Sequence, residues 1–193
     1  MQTCFTGDTL VAAENGQKRI DEIKVGDKVW AFNVETGESE LKTVTKVYVH
    51  SVDEILHLYT DEGDIDTTAN HPFYVIGKGW VAAGDLVVGD EVFNLDGTTS
   101  VVLGSAIEKL DEPVLVYNLE VEDFHSYFVG CVPVLVHNYV ASSGNVYPEN
   151  IDYSYRDPNG HDYLYIHNNH PQGGIQPHTY FPSANRAQMV QFI

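Results

Sequence analysis

The side chains in this 193-residue sequence able to do nucleophilic or acid–base chemistry are few. Its thiols are Cys4 and Cys131. Cys4 stands before Phe5-Thr6-Gly7-Asp8-Thr9-Leu10-Val11, and a thiol becomes a nucleophile only with a lowered pKa or a nearby base. The candidate bases are His71 in Thr67-Thr68-Ala69-Asn70-His71-Pro72, His125, and His137 in Val134-Leu135-Val136-His137-Asn138. Each has a plainer explanation when taken singly. A lone cysteine is most often a small buried hydrophobe, and a histidine in a β domain is more often a satisfied core or surface residue than a catalyst. Cys131 is expected in the core rather than in a site. If 131–138 is one extended strand, its ends lie ~20 Å apart. Two cysteines make no disulfide framework, and two free thiols are favoured over a Cys4–Cys131 bridge. Asp61-Glu62-Gly63-Asp64-Ile65-Asp66 lacks the terminal bidentate glutamate of a calcium loop and reads as a hairpin turn. Zn²⁺ or Cu²⁺ on Cys4 and neighbouring histidines would block a nucleophile rather than assist it, so no metal or cofactor is expected. His161, His167, His170 and His178, with Asp157 and Asp162, could ligate a metal or serve a nuclease, but read better as surface polar residues.

The elements that must position these residues are β-strands. Runs at 28–33, 41–50, 54–60, 73–76, 91–95, 101–107, 114–121, 127–129 and 132–137 are β-rich, and turn residues at 35–37, 61–63 and 96–97 separate several of them. No segment sustains helical periodicity over three turns, which predicts an all-β domain. Ile23-Lys24-Val25-Gly26-Asp27-Lys28-Val29-Trp30 returns as Leu86-Val87-Val88-Gly89-Asp90-Glu91-Val92-Phe93, an echo that suits two pseudo-twofold halves. Acidic residues number 28 against 10 basic ones, a net charge of −18. The charge argues against a nucleic-acid partner, and no apolar stretch approaches the ~20 residues of a spanning helix. Residues 1–138 hold 24 acidic and 8 basic side chains, whereas 139–193 hold 4 and 2. The tail is rich in Tyr, His, Asn and Pro and poor in aliphatics, with a strand expected at 161–167. The residues before Cys4 have no charged region and no long apolar run, so no signal peptide is expected, and the short stub is expected to be the edge of a longer polypeptide.

Four of these stretches, in order, resemble the motifs of the Hint superfamily of inteins, hedgehog autoprocessing domains and bacterial intein-like domains. They are Cys4 with Gly7-Asp8-Thr9, Thr68 through His71, Val116-Tyr117-Asn118-Leu119-Glu120-Val121 with His125-Ser126-Tyr127-Phe128-Val129, and Val136-His137-Asn138. The resemblance covers 4–138 and implies a horseshoe of two related β halves. The division expected is a flank at 1–3, an autoprocessing domain at 4–138 and a C-terminal flank at 139–193. It also implies roles. Cys4 attacks the Thr3 carbonyl to give a thioester, His71 protonates the leaving nitrogen, and Thr68 holds the scissile peptide. Asn138 cyclises to a succinimide and releases the chain from Tyr139, His137 stabilises the oxyanion or protonates the departing nitrogen, and His125 polarises or deprotonates the Asn138 amide.

Two departures shape the expectation. Tyr139 stands where splicing needs Cys, Ser or Thr, so the pattern looks most like A-type bacterial intein-like domains, in which cleavage is favoured over ligation. Ser142 and Ser143 are poor substitutes because the chain would have to loop back. Asn118 stands where inteins commonly carry Asp, which puts in doubt a carboxylate role in coordinating the steps. The expected substrate is the chain's own flanking segments, the expected state a monomer without membrane or nucleic-acid partners, and the parent setting a bacterial secreted or surface protein carrying a toxin module. The alternatives are an inactive β-rich binding or scaffold module, or one that presents an effector tail.

Overall fold

The computed structural model describes residues 3–138 and, beyond them, the backbone of three strands. Twelve strands build the first unit: β1 (Phe5–Thr6), β2 (Leu10–Ala13), β3 (Gly16–Arg19), β4 (Lys28–Asn33), β5 (Glu38–Thr60), β6 (Gly63–Thr67), β7 (Pro72–Val75), β8 (Gly79–Ala82), β9 (Glu91–Phe93), β10 (Thr99–Val121), β11 (Ser126–Val129) and β12 (Val134–His137). They form one antiparallel sheet in the order β11-β12-β7-β9-β10-β1-β6-β5-β4-β2-β3, with β8 beside β7. Pairing of Val129 on β11 with Val11 on β2 joins distant parts of that order. Among the described residues the helical segments are two single 3₁₀ turns, Ile20–Glu22 and Ala83–Asp85.

The all-β reading holds, with differences in where strands break. Sequence reading splits 41–60 and 101–121 into two strands each, yet β5 and β10 are each 23 residues long and pair with one another over most of their length. Pro113 explains the misreading of β10, because it cannot donate to a ladder. The structure accommodates Leu110–Pro113 as a register shift between Lys109 and Val114 rather than a strand end. Strands β1, β2, β3, β6 and β8 escape the sequence reading because two to five residues carry too little alternation to register. Outside the ladder, His57 on β5 ties β6 and β10 together, with Nδ1 at 2.7 Å from Asp66 and Nε2 at 2.9 Å from Glu108.

The Gly-Asp echo is reproduced bond for bond. Each copy follows a 3₁₀ turn and places its glycine at positive φ, 95° at Gly26 and 91° at Gly89, a region glycine reaches without steric cost. Gly26 N–H donates to Val44 O and Gly89 N–H to Val102 O, each at 2.9 Å. In return Val44 N–H donates to Asp27 O and Val102 N–H to Asp90 O, each at 2.8 Å. Each aspartate accepts from the backbone N–H three residues back, Lys24 or Val87, and from a lysine, Lys18 or Lys78. Val29 and Val92, two residues on, are fully buried. The core joins these valines to Phe5, Val11, Ile20, Leu56, Leu58, Phe73, Leu119 and Tyr127. Its contributors come from both halves, so neither half has a closed core of its own.

Residues Ala141–Ile193 form a separate compact unit. Its backbone carries β13 (Ile151–Arg156), β14 (Asp162–Ile166) and β15 (Tyr180–Phe181), paired antiparallel in that order. The strand expected at 161–167 is β14.

The two aspartates differ in burial, 6% exposed at Asp90 against 33% for the Asp27 side chain. Asp90→Ala removes a buried carboxylate that accepts from the Val87 N–H and from Lys78 and is expected to cost about 2 kcal/mol. Asp27→Ala loses a largely solvated pair and is expected to cost about 1 kcal/mol or less. Urea unfolding of the two variants checks this ordering, which equal losses would contradict.

Candidate active site

Strand β1 delivers the thiol. Phe5 pairs with Thr67 on β6 and with Tyr117 on β10, so the residues before it enter the interior. Thr3 is 4% exposed and Cys4 1%. The Cys4 N–H, the nitrogen of the Thr3–Cys4 peptide, donates to Thr68 Oγ1 at 3.0 Å. The Cys4 carbonyl accepts from the Thr68 N–H at 3.0 Å and from the Thr67 hydroxyl at 2.9 Å. Sequence reading found Thr68 but missed Thr67, whose contact depends on the register of β6 against β1. Burial pushes the Cys4 thiol up to about 12, so the thiol is protonated at neutral pH.

His71 stands immediately before β7, its N–H donating to Thr68 O at 3.0 Å and its carbonyl accepting from the Ala83 N–H at 2.8 Å. The imidazole is fully buried against Phe5, with ring centroids 4.1 Å apart, and neither ring nitrogen has a hydrogen-bond partner. Burial holds its pKa well below the ordinary histidine value, and the positive charge His137 would carry adds to the effect. The His137 backbone opposes the shift without forming a full hydrogen bond to the ring. That relation places His71 beside the C-terminal end of the domain as well as behind Phe5.

Strand β12 supplies that end. Val136 pairs with Phe73 on β7, and His137 with Ser126 on β11. The His137 ring meets Trp80 edge-on, 4.9 Å between centroids, and its Nδ1 lacks a partner. Burial, then the neighbouring His125, depress its pKa to about 3. Asn138 is 3% exposed, and neither atom of its carboxamide has a partner. Leaving both unpaired is costly, so this is a site where stability is spent. Its backbone N–H donates to the His125 carbonyl at 2.9 Å. His125 is exposed at the end of the turn after β10, with Asp123 and His125 both left-handed, φ 62° and 48°. Such non-glycine conformations are uncommon and concentrate at functional positions.

Two further residues join the site. Asn118 Nδ2 donates to Thr3 Oγ1 at 3.1 Å, and the fully buried Tyr127 hydroxyl donates to Asn118 Oδ1 at 2.7 Å. Burial and the charge of a Cys4 thiolate raise the Tyr127 pKa well above its usual value, so the phenol stays protonated. Sequence reading passed over Tyr127, which has no partner within reach along the sequence. Cys131 requires a correction. It is exposed, in the turn before β12, and β12 begins only at Val134. Gln17 Nε2 caps that turn by donating to the carbonyls of Gly130 and Cys131. Among the described residues no group of three His, Cys, Asp or Glu side chains could hold a metal ion. Tyr139, Ser142, Ser143, Asp157 and the four tail histidines lie outside the described residues, as do the side chain of Asp162 and residues 1 and 2 of the expected flank.

Residues 10–139 match the pretoxin HINT domain. The chain belongs to this family. The fold of the HINT domain agrees with solved structures. A bacterial intein-like domain from Clostridium thermocellum is 46% identical, with a TM-score of 0.69 over 72% of this chain and 99% of that one. A DnaB intein from Synechocystis shares the fold at 20% identity, with a TM-score of 0.62 over 72% and 100%. An uncharacterised protein of Methanocaldococcus jannaschii is 43% identical over 77 residues, 38% of this chain, and the matched segment spans 9% of that relative's length. Hint and intein relatives are self-splicing or autoprocessing, so this is a domain of a self-processing family.

The buried histidines make stability pH-dependent. Unfolded, His137 takes up a proton near 6.5; folded, only near about 3. The stability gained by keeping it neutral is complete above the unfolded value and is lost as pH falls from 6.5 toward 3. The expected slope is about 1.4 kcal/mol per pH unit for each such group. His137→Gln is expected to flatten the urea-unfolding profile by that amount, and an unchanged slope would contradict the assignment.

Proposed function

We propose that this HINT domain cuts its own chain at Thr3–Cys4 and at Asn138–Tyr139, and that cleavage prevails over ligation. The observation that carries the reading is the hydrogen bond from the Cys4 N–H to Thr68 Oγ1, because it holds the nitrogen that must leave. Attack by Cys4 Sγ on the Thr3 carbonyl forms a C–S bond, breaks the C–N bond, and moves the thiol proton to the new amine. Cys4 and His71 both rest neutral, since burial pushes one pKa up and the other down. A neutral imidazole with both nitrogens unengaged suits such a transfer. One nitrogen takes the thiol proton while the other gives its proton to the leaving nitrogen, and no net charge is created in the interior. Water or an added thiol then releases the thioester.

At the other end the Asn138 carboxamide nitrogen attacks its own backbone carbonyl. A succinimide forms, and the amine of Tyr139 departs with a proton. The lack of competing hydrogen bonds on the carboxamide leaves its nitrogen available, and His137 and His125 are the groups at hand for the proton. Tyr139 offers a phenol where ligation needs a hydroxyl or thiol of Ser, Thr or Cys, which supports cleavage as the outcome.

Intact-mass measurement over time, with and without dithiothreitol, tests the proposal. The expected products are a fragment ending at Asn138 and a thiol-dependent loss of residues 1–3. Asn138→Ala is expected to abolish the first and Cys4→Ala the second, while Thr68→Val slows the second about tenfold, as for one lost hydrogen bond. His125→Gly keeps a residue at ease with positive φ while removing the imidazole, and is expected to fold yet slow the break after Asn138. A wild-type chain that stays intact under every condition would show an inactive β module instead.

A further inference from the structure

Asn118 has a fixed hydrogen-bond polarity. The Leu119 backbone N–H can only donate, and it meets Asn118 Oδ1 at 2.8 Å. The Tyr127 hydroxyl reaches the same oxygen at 2.7 Å. With the oxygen so placed, the Nδ2 faces Thr3, and Thr3 Oγ1 accepts its proton at 3.1 Å. Thr3, Asn118 and Tyr127 are all buried, so each contact forms away from competing water. A carboxylate at 118 would satisfy Leu119 and Tyr127 equally well. It would, however, present an acceptor to residue 3 where the carboxamide presents a donor.

We propose that Asn118, oriented by Tyr127, is a specificity-determining subsite for the residue preceding Cys4, selecting a short side chain that can accept a hydrogen bond. The inference rests on the Thr3–Cys4 half of the proposed function. Thr3 contributes the carbonyl under attack, so anchoring its side chain restricts how that carbonyl is presented to Cys4 Sγ, and small misplacements at a reacting centre are costly in rate. Asn118 touches the substrate residue, whereas Tyr127 acts through Asn118 and is a positioning residue. The donor that the Asn118 carboxamide presents thus bears on what residue 3 may be.

The test has a kinetic arm and a spectroscopic arm. In the full chain carrying Asn138→Ala to silence the other end, thiol-induced release of residues 1–3 is followed by mass. Thr3→Val, which keeps the shape and loses the acceptor, is expected to slow release about tenfold, and Thr3→Ser to stay within about twofold of wild type. Tyr127→Phe keeps the ring and its packing, and is expected to reduce the Ser-over-Val preference to about twofold or less because the carboxamide is then less firmly oriented. Equal release rates for Thr3→Val and Thr3→Ser, or a preference unmoved by Tyr127→Phe, would overturn the proposal. In the uncleavable Cys4→Ala chain, the Asn118 side-chain amide protons are read by NMR. They are expected to exchange slowly, and to shift and exchange faster in Thr3→Val. Side-chain protons indifferent to residue 3 would overturn the subsite whether or not the chain cleaves. Responsive protons in a wild-type chain that thiol does not cleave would instead refute the thioester reading and, with it, any selection by rate.

Discussion

The site depends on a two-residue strand. Phe5–Thr6 is held between β6 and β10, and this pairing draws Thr3 and Cys4 out of water and sets the Cys4 peptide against Thr67 and Thr68. Without that register, Cys4 would be a solvated thiol with an ordinary pKa and no fixed relation to any histidine. With it, the thiol is trapped in its neutral form, the peptide nitrogen has one defined acceptor, and Phe5 becomes the wall against which the His71 ring lies. Strand β7, which begins directly after His71, pairs with β12 through Phe73 and Val136, so the constraint at one end of the domain reaches His137 at the other.

Burial governs the electrostatics of this arrangement more than any charge pair does. The net charge of −18 lies largely on exposed side chains, while the site groups are titratable or polar residues without a counter-ion. Cys4, His71, His137 and Tyr127 are each displaced in the direction that keeps them uncharged, as desolvation requires. Chemistry in such an interior favours proton transfers between neutral partners over the prior formation of a thiolate and an imidazolium. The unpaired nitrogens of His71 and the unpaired carboxamide of Asn138 are a stability cost concentrated in the candidate site.

How much of this was legible in the sequence varies residue by residue. The Gly-Asp echo was fully legible, because a turn that needs positive φ and an aspartate that closes it are local requirements written into adjacent residues. Cys4, Thr68, His71, His125, His137 and Asn138 were legible as motifs, yet their mutual arrangement was not. The broken reading of β10 came from Pro113, a local signal overridden by a bulge that tertiary pairing tolerates. Thr67 and Tyr127 stayed hidden because their partners, Cys4 and Asn118, are set by strand register and by the fold rather than by any local pattern. Cys131 was misplaced for the opposite reason, since the strand thought to carry it starts three residues later, beyond a turn capped by Gln17.

The central claim is that the two ends of the domain meet in one buried site whose acid–base groups rest neutral. The most direct measurement is an NMR titration of the His71 and His137 imidazoles in the full chain carrying Cys4→Ala and Asn138→Ala. Both rings are predicted to remain neutral, each in a single tautomer, from about pH 8 down to about pH 5, well below the ordinary histidine midpoint of ~6.5. A midpoint near that ordinary value for either ring, with the fold intact, would contradict the account.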